Sequence, residues 1–183
     1  KSLKFLWVIV VVIFFIFMSS PHLTSHAKLF FRFGETHKGP LEDKIEADYS
    51  LKMRELGAGE VTMEKFRGKL IYLKVWSTTC PTCVEEMPKV QALYDKVDKE
   101  KVAFVLISVD KEDKKVQKFM EKEGYSFPVF RRADKDWPTI YDDQAFPRVY
   151  VISPKGKLLK SFKGKNDFEV DEMADFLDMS SNS

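Results

Sequence analysis

The run "KLIYLKVWSTTCPTCVEEMPKVQALYDKV" (residues 69–97) changes its period halfway along. Its first eight residues, "KLIYLKVW" (69–76), are rich in aliphatic, β-branched and aromatic side chains and predict a strand. In the second half Val84, Met87, Val90, Leu93, Tyr94 and Val97 recur at helical spacing, which predicts one helix from 81 to about 98 lying on a sheet. Pro88 falls inside that helix and is expected to kink it. At the junction stand both cysteines of the chain, Cys80 and Cys83.

Working outward, "VAFVLISV" (102–109) is an unbroken apolar stretch of the kind found in a strand covered on both faces. It and 69–76 are expected to be central and parallel. Val116, Phe119 and Met120 predict a second helix over Asp110–Glu123, with Gly124 placed to end it. "RVYVIS" and "KLLKSF" flank a Pro-Lys-Gly turn and predict a hairpin. A last helix from about Asp167 to Met179 would bury Phe168, Met173, Phe176 and Leu177. This order predicts an α/β sandwich with parallel strands at its centre and an antiparallel edge. The stretch "LEDKIEADYSLKMREL" (41–56) reads equally as an amphipathic helix or as the entry to an edge strand.

With 183 residues and 44% apolar content, the chain can bury one ordinary core. The charge is +2, from 30 basic and 28 acidic residues without long blocks of one sign. No nucleic-acid footprint follows from that pattern. Lys1 and Lys4 precede an apolar run from Phe5 to Met18, the pattern of a secretory signal peptide or signal anchor. The expected organisation is a signal or anchor over 1–27, a linker and N-terminal extension over 28–59, and the folded domain over 60–180. The protein is thus expected to be exported to the periplasmic or extracytoplasmic face. The reading leans to a membrane anchor at the N-terminal segment, with cleavage near Ser25-His26-Ala27 as the alternative.

Outside the cytosol a disulfide can persist as a staple, but a staple gains more by closing a longer loop. Cys80 and Cys83 enclose two residues. A structural zinc needs four ligands, and His22, His26 and His37 all lie in the leader or linker, so no metal site is expected. A cysteine at a helix N-terminus has its thiolate favoured by unpaired N–H groups and the helix dipole. Cys80 is then the exposed nucleophile and Cys83, one turn further in, the resolving thiol. A redox pair is the leading reading of this C-x-x-C.

With Trp76, Cys80, Pro81, Thr82, Cys83, Pro88 and the later Phe146-Pro147 ahead of a strand, the chain resembles the thioredoxin superfamily. Residues from about 60 to 178 look like the TlpA/ResA-like branch of exported thiol-disulfide oxidoreductases. The resemblance implies a thioredoxin-like fold, an α/β three-layer sandwich whose central mixed sheet is flanked by helices, and an enzyme that reduces protein disulfides by exchange through Cys80 and Cys83. It implies no bound cofactor, since the Cys80–Cys83 disulfide carries the electrons. Expected partners are a disulfide-containing polypeptide and a membrane electron donor of the thiol-reducing type. Relatives serve both cytochrome c maturation and general disulfide repair.

The resemblance also gives roles to single positions. Glu86, three residues after Cys83, corresponds to a glutamate that influences thiol titration, while Glu85 reads as a solvated helix residue. Pro147 corresponds to the cis-proline, so Phe146 and Pro147 are the expected substrate-binding pair. Trp76 packs under the site and joins Glu86 and Lys74 among the modulating residues. Lys74 departs from the pattern, because thioredoxins carry a buried aspartate there and many of this branch an asparagine. Its amine either reaches inward, to favour the thiolate or pair with Glu86, or snorkels to solvent and does neither. Thr79 is a second departure, standing where many relatives have tryptophan. A non-catalytic thioredoxin-like module that holds partner chains is the rival reading. A peroxide-reducing relative has little support, since no Pro-x-x-x-Thr-x-x-Cys pattern frames either cysteine.

Overall fold

Residues 45–133, 137–141 and 145–182 are described by a computed structural model. The expected leader and most of the expected linker lie outside the described residues, as do Asp134–Asp136 and Asp142–Gln144. In chain order the elements are β1 (Lys52–Glu55), β2 (Glu60–Thr62), β3 (Leu70–Trp76), α1 (Pro81–Lys96), β4 (Val102–Ser108), α2 (Asp113–Glu123), β5 (Val129–Arg132), β6 (Arg148–Ile152), β7 (Leu158–Lys163) and α3 (Val170–Ser181). A short 3-10 turn occupies Met63–Phe66.

The strands form one seven-stranded sheet in the order β2-β1-β5-β4-β3-β6-β7. β3, β4 and β5 run parallel, Leu70 opposite Val102 and Leu106 opposite Val129. β6 and β7 continue the sheet antiparallel on one side, and β1 and β2 on the other. This is an α/β fold with a mixed central sheet, as the strand and helix order predicts.

Alternation along the strands divides the apolar residues into two cores. Leu70, Tyr72 and Trp76 of β3 face one core with Met87, Val90 and Leu93 of α1, Val116 of α2 and Met173 and Leu177 of α3. Ile71, Leu73 and Val75 face the other, with Leu51, Met53, Met63, Tyr141 and Tyr150. All three described α-helices therefore cover one face. The 45–51 segment, the 3-10 turn and Trp137–Tyr141 contribute to the second.

The ambiguous stretch before Gly59 resolves as strand over Lys52–Glu55, hydrogen-bonded between β2 and β5. Its burial alternates, with Leu51 and Met53 inside and Lys52 and Arg54 outside, a period of two rather than 3.6. The sheet thus begins upstream of residue 60, inside the span read as linker. Gly124 ends α2 in the left-handed region at φ 72°, its N–H returning to Met120 O. A residue with a Cβ would be strained there.

Candidate functional site

Trp76 ends β3, and the chain turns through Ser77–Thr79 before α1 opens at Pro81. Cys80 is the N-cap of α1, and Pro81 occupies the first helical position, where its missing N–H costs no hydrogen bond. Cys80 Sγ accepts from Cys83 N–H at 3.2 Å and lies 3.3 Å from Thr82 Oγ1. The two cysteines are joined as a disulfide, with Cα atoms 5.2 Å apart. Cys80 is partly exposed and Cys83 fully buried. The pair therefore presents one sulfur to solvent and keeps the other behind it.

Cys83 and Glu86 lie one turn apart on the inner face of α1, and both are buried. Lys74 points from β3 into the same face of the sheet, between Tyr72 and Trp76. It has no exposed surface, and its Nζ forms a buried ion pair with Glu86 Oε2. The other carboxylate oxygen of Glu86 accepts from Asn166 N–H at 2.6 Å, in the segment leading to α3. Of the two orientations open to Lys74, the structure has the inward one. Burial pushes its ammonium below the ordinary lysine range, while the Glu86 charge and hydrogen bond oppose that shift. Tyr72, on the same face, has its phenol pushed up by burial and then by Glu86. Glu85 is exposed and pairs with Lys165 at 3.1 Å, a surface contact of small energetic weight.

The Phe146–Pro147 peptide is cis. Val75 of β3 stands opposite Arg148 of β6, so Pro147 lies at the end of the sheet from which the Cys80 loop emerges. Pro147 O accepts from Gly164 N–H at 2.9 Å, which holds this segment to the end of β7. Phe146 is partly buried and touches both cores. Trp76 is fully buried and packs on Phe119 of α2 at 5.7 Å between ring centroids. Thr79 forms an exposed part of the rim beside Cys80.

One group at this site escaped the sequence reading, which took Asp110 as the start of a helix. Instead α2 starts at Asp113, and the Asp110 carboxylate turns to the loop ahead of Cys80. The available signal was its place just past β4, because the C-terminal edge of a parallel sheet is where α/β proteins build sites. Among the described residues no group of three or more His, Cys, Asp or Glu side chains is placed to hold a metal ion. No described helix is long and apolar enough to cross a membrane.

Comparison with known proteins agrees with this geometry. The chain is 25% identical over 112 residues to the thiol-disulfide oxidoreductase ResA of Halalkalibacterium halodurans, covering 61% of this chain and 64% of that protein. It is 27% identical over 112 residues to the ResA of Bacillus subtilis, covering 61% and 63%. The chain thus spans less than two thirds of the length of these relatives. In structure it resembles StoA from Bacillus subtilis, at TM-score 0.57 and 19% identity over 68% of this chain and 93% of that one. It also resembles a putative thiol:disulfide interchange protein DsbE from Chlorobium tepidum, at TM-score 0.62 and 19% identity over 76% and 99%. These likenesses establish the thioredoxin-like fold. Since the Redoxin family model matches residues 41–177, from ahead of β1 into α3, the chain belongs to the Redoxin family.

Proposed function

We propose that the protein is an exported, membrane-tethered thiol-disulfide oxidoreductase that reduces disulfides in polypeptides. The observation that carries this reading is the arrangement of the two sulfurs: Cys80 partly exposed at the mouth of α1, Cys83 fully buried and within bonding reach. Similarity to proteins named thiol-disulfide oxidoreductase supports it.

In the cycle, the Cys80 thiolate attacks one sulfur of a target disulfide and expels the other as a thiolate, which takes up a proton. The resulting mixed disulfide is attacked by Cys83 after it loses its proton. The target leaves as a dithiol and Cys80–Cys83 is left oxidised. Two electrons and two protons from a membrane thiol reductant restore the dithiol, so no further cofactor is needed. The Cys83 N–H and the start of α1 favour the Cys80 thiolate. Glu86 and Lys74, beneath Cys83, tune the second thiol, and Trp76 closes the site from below. Phe146 and Pro147 form the ledge on which a substrate strand lies. The direction of transfer, the N-terminal tether and the extracytoplasmic location follow from the resemblance and from the Phe5–Met18 run.

Reduction of insulin disulfides by the reduced protein tests the reading. Cys80→Ser is expected to abolish turnover, and Cys83→Ala to halt it as a mixed disulfide through Cys80. If Cys80→Ser kept both partner binding and cellular effect, the protein would instead be a thioredoxin-like holding module.

A further inference from the structure

We infer that Asp110 is a positioning residue for the exchange reaction, the latch that sets Cys80 as the N-cap of α1. This rests on the thiol-exchange reading of Cys80. The Asp110 carboxylate is buried and accepts four hydrogen bonds. Ser77 Oγ at 3.1 Å and Thr78 Oγ1 at 2.6 Å donate to Oδ1, while Thr78 N–H and Ser108 Oγ, each at 2.8 Å, donate to Oδ2. An ionised carboxylate offers about four acceptor sites, and all are used.

The loop passes this constraint on to the cysteine. Ser77 Oγ also accepts from Thr79 N–H at 3.1 Å, and Ser77 O accepts from Cys80 N–H at 3.2 Å. Val109 N–H donates to Trp76 O at 3.0 Å, so the ends of β4 and β3 are tied just below the latch. Asp110 therefore fixes Ser77–Thr79 to the rigid sheet, and those residues aim Cys80 Sγ at the Cys83 N–H. A three-residue loop without this anchor has freedom to turn the sulfur away, and the hydrogen bond that favours the thiolate goes with it. Lys115 of α2, half in solvent, brings its Nζ to 3.7 Å from Oδ1.

Asparagine and alanine separate the possible contributions. Asp110→Asn retains one oxygen for the Thr78 N–H, while its amide can donate to hydroxyls free to turn round; Asp110→Ala retains neither. In the full chain carrying Cys83→Ala, where Cys80 is the single thiol, the pH profile of Cys80 alkylation reads the effect. Loss of the carboxylate charge by itself lowers the midpoint, so a rise in Asp110→Ala, expected at about half a unit, reads the lost positioning. Asp110→Asn and Thr78→Val should each raise the midpoint by less. A midpoint that falls in both Asp110→Ala and Thr78→Val overturns the inference. A merely structural role would lower thermal stability and leave the midpoint unmoved. Profiles of Asp110→Ala and Thr78→Val that superimpose on the parent overturn the inference. Should Asp110→Ala fail to fold, superimposed Asp110→Asn and Thr78→Val profiles do the same. Alkylation needs no turnover, so a parent protein that reduces no disulfide defeats the functional reading without deciding the latch.

Discussion

Lys74 and Glu86 form an ion pair in which neither side chain has more than 4% of its surface exposed, with Glu86 one helical turn after the buried Cys83. Two charges taken out of water cost several kcal/mol each, and their attraction and remaining hydrogen bonds must offset that cost. Lys74→Met removes the donor that even a neutral amine keeps toward Glu86 Oε2, so the buried carboxylate loses its hydrogen bond as well as the facing charge. Lys74→Met alone is therefore expected to destabilise the fold by about 3–5 kcal/mol, whereas Lys74→Met with Glu86→Met should return close to the parent stability or exceed it. Urea unfolding of the four proteins closes the cycle. A double variant whose loss equals the sum of the two single losses would show that the charges are not coupled.

The same pair should move the thiols. With Lys74 replaced by Met, the cation paired with Glu86 is lost and the carboxylate one turn from Cys83 is left unbalanced, which disfavours a thiolate. The alkylation midpoint of the reduced protein is expected to rise by about one unit. The two thiols titrate as a coupled pair, so the midpoint belongs to the pair. An unchanged profile removes Lys74 from the mechanism.

Burial lowers the Lys74 pKa, and the sign of the resulting pH dependence is fixed. The unfolded chain keeps this proton up to the ordinary value of 10.5, and the folded chain releases it sooner. Between those two values the unfolded state holds more protons, so stability attributable to this group rises with pH. Below the folded value its burial cost is present in full. The stability of the parent minus that of the Lys74→Met/Glu86→Met protein should therefore climb towards pH 10.5, by at most about 1.4 kcal/mol per unit. A difference that stays flat across the alkaline range contradicts the lowered value.

Phe146 offers an aromatic surface at the sheet end shared with the Cys80 loop. Phe146→Ala is expected to raise KM for a polypeptide disulfide by about tenfold, a loss of one aromatic contact. Reaction with a small aromatic disulfide, which needs no strand-like docking, should change little. Equal losses on both substrates would place Phe146 in packing rather than in recognition.

Two glycines separate backbone strain from crowding. Gly124 and Gly156 both have positive φ, at 72° and 83°. A Cβ at Gly124 meets nothing within 4 Å, whereas one at Gly156 lies 3.2 Å from Tyr49 Cε2. Gly124→Ala is expected to cost about 1 kcal/mol, from the left-handed conformation alone. Gly156→Ala should cost more, about 2 kcal/mol, because the Tyr49 ring must also yield. Thermal unfolding of the two variants measures the gap, and equal costs would show that the ring moves freely.

Local pattern made much of this protein legible. The helical spacing from Val84 to Val97 anticipated α1, observed over Pro81–Lys96, and the apolar runs anticipated β3 and β4, which are parallel. Gly124 marked the end of α2, and the Pro-Lys-Gly turn marked the hairpin of β6 and β7. Such features depend on periods of two and 3.6 and on the torsions that glycine and proline permit, all of which act within a few residues. The placing of Cys80 and Cys83 at a helix mouth was legible for the same reason.

Tertiary structure decided what depended on distant partners. Whether Lys74 turned inward rested on Glu86, twelve residues on, and on the Asn166 N–H eighty residues beyond Glu86. Lys52–Glu55 became a strand because β5, far along the chain, offered its open edge. Asp110 left the helix it was expected to start because Thr78, 32 residues earlier, supplied a backbone and a hydroxyl donor to its carboxylate. A charged side chain chooses between water and a buried partner by desolvation and geometry, and both are properties of the folded surroundings. The sequence alone determined where the two sulfurs stand; the fold decided which charges and hydrogen bonds surround them.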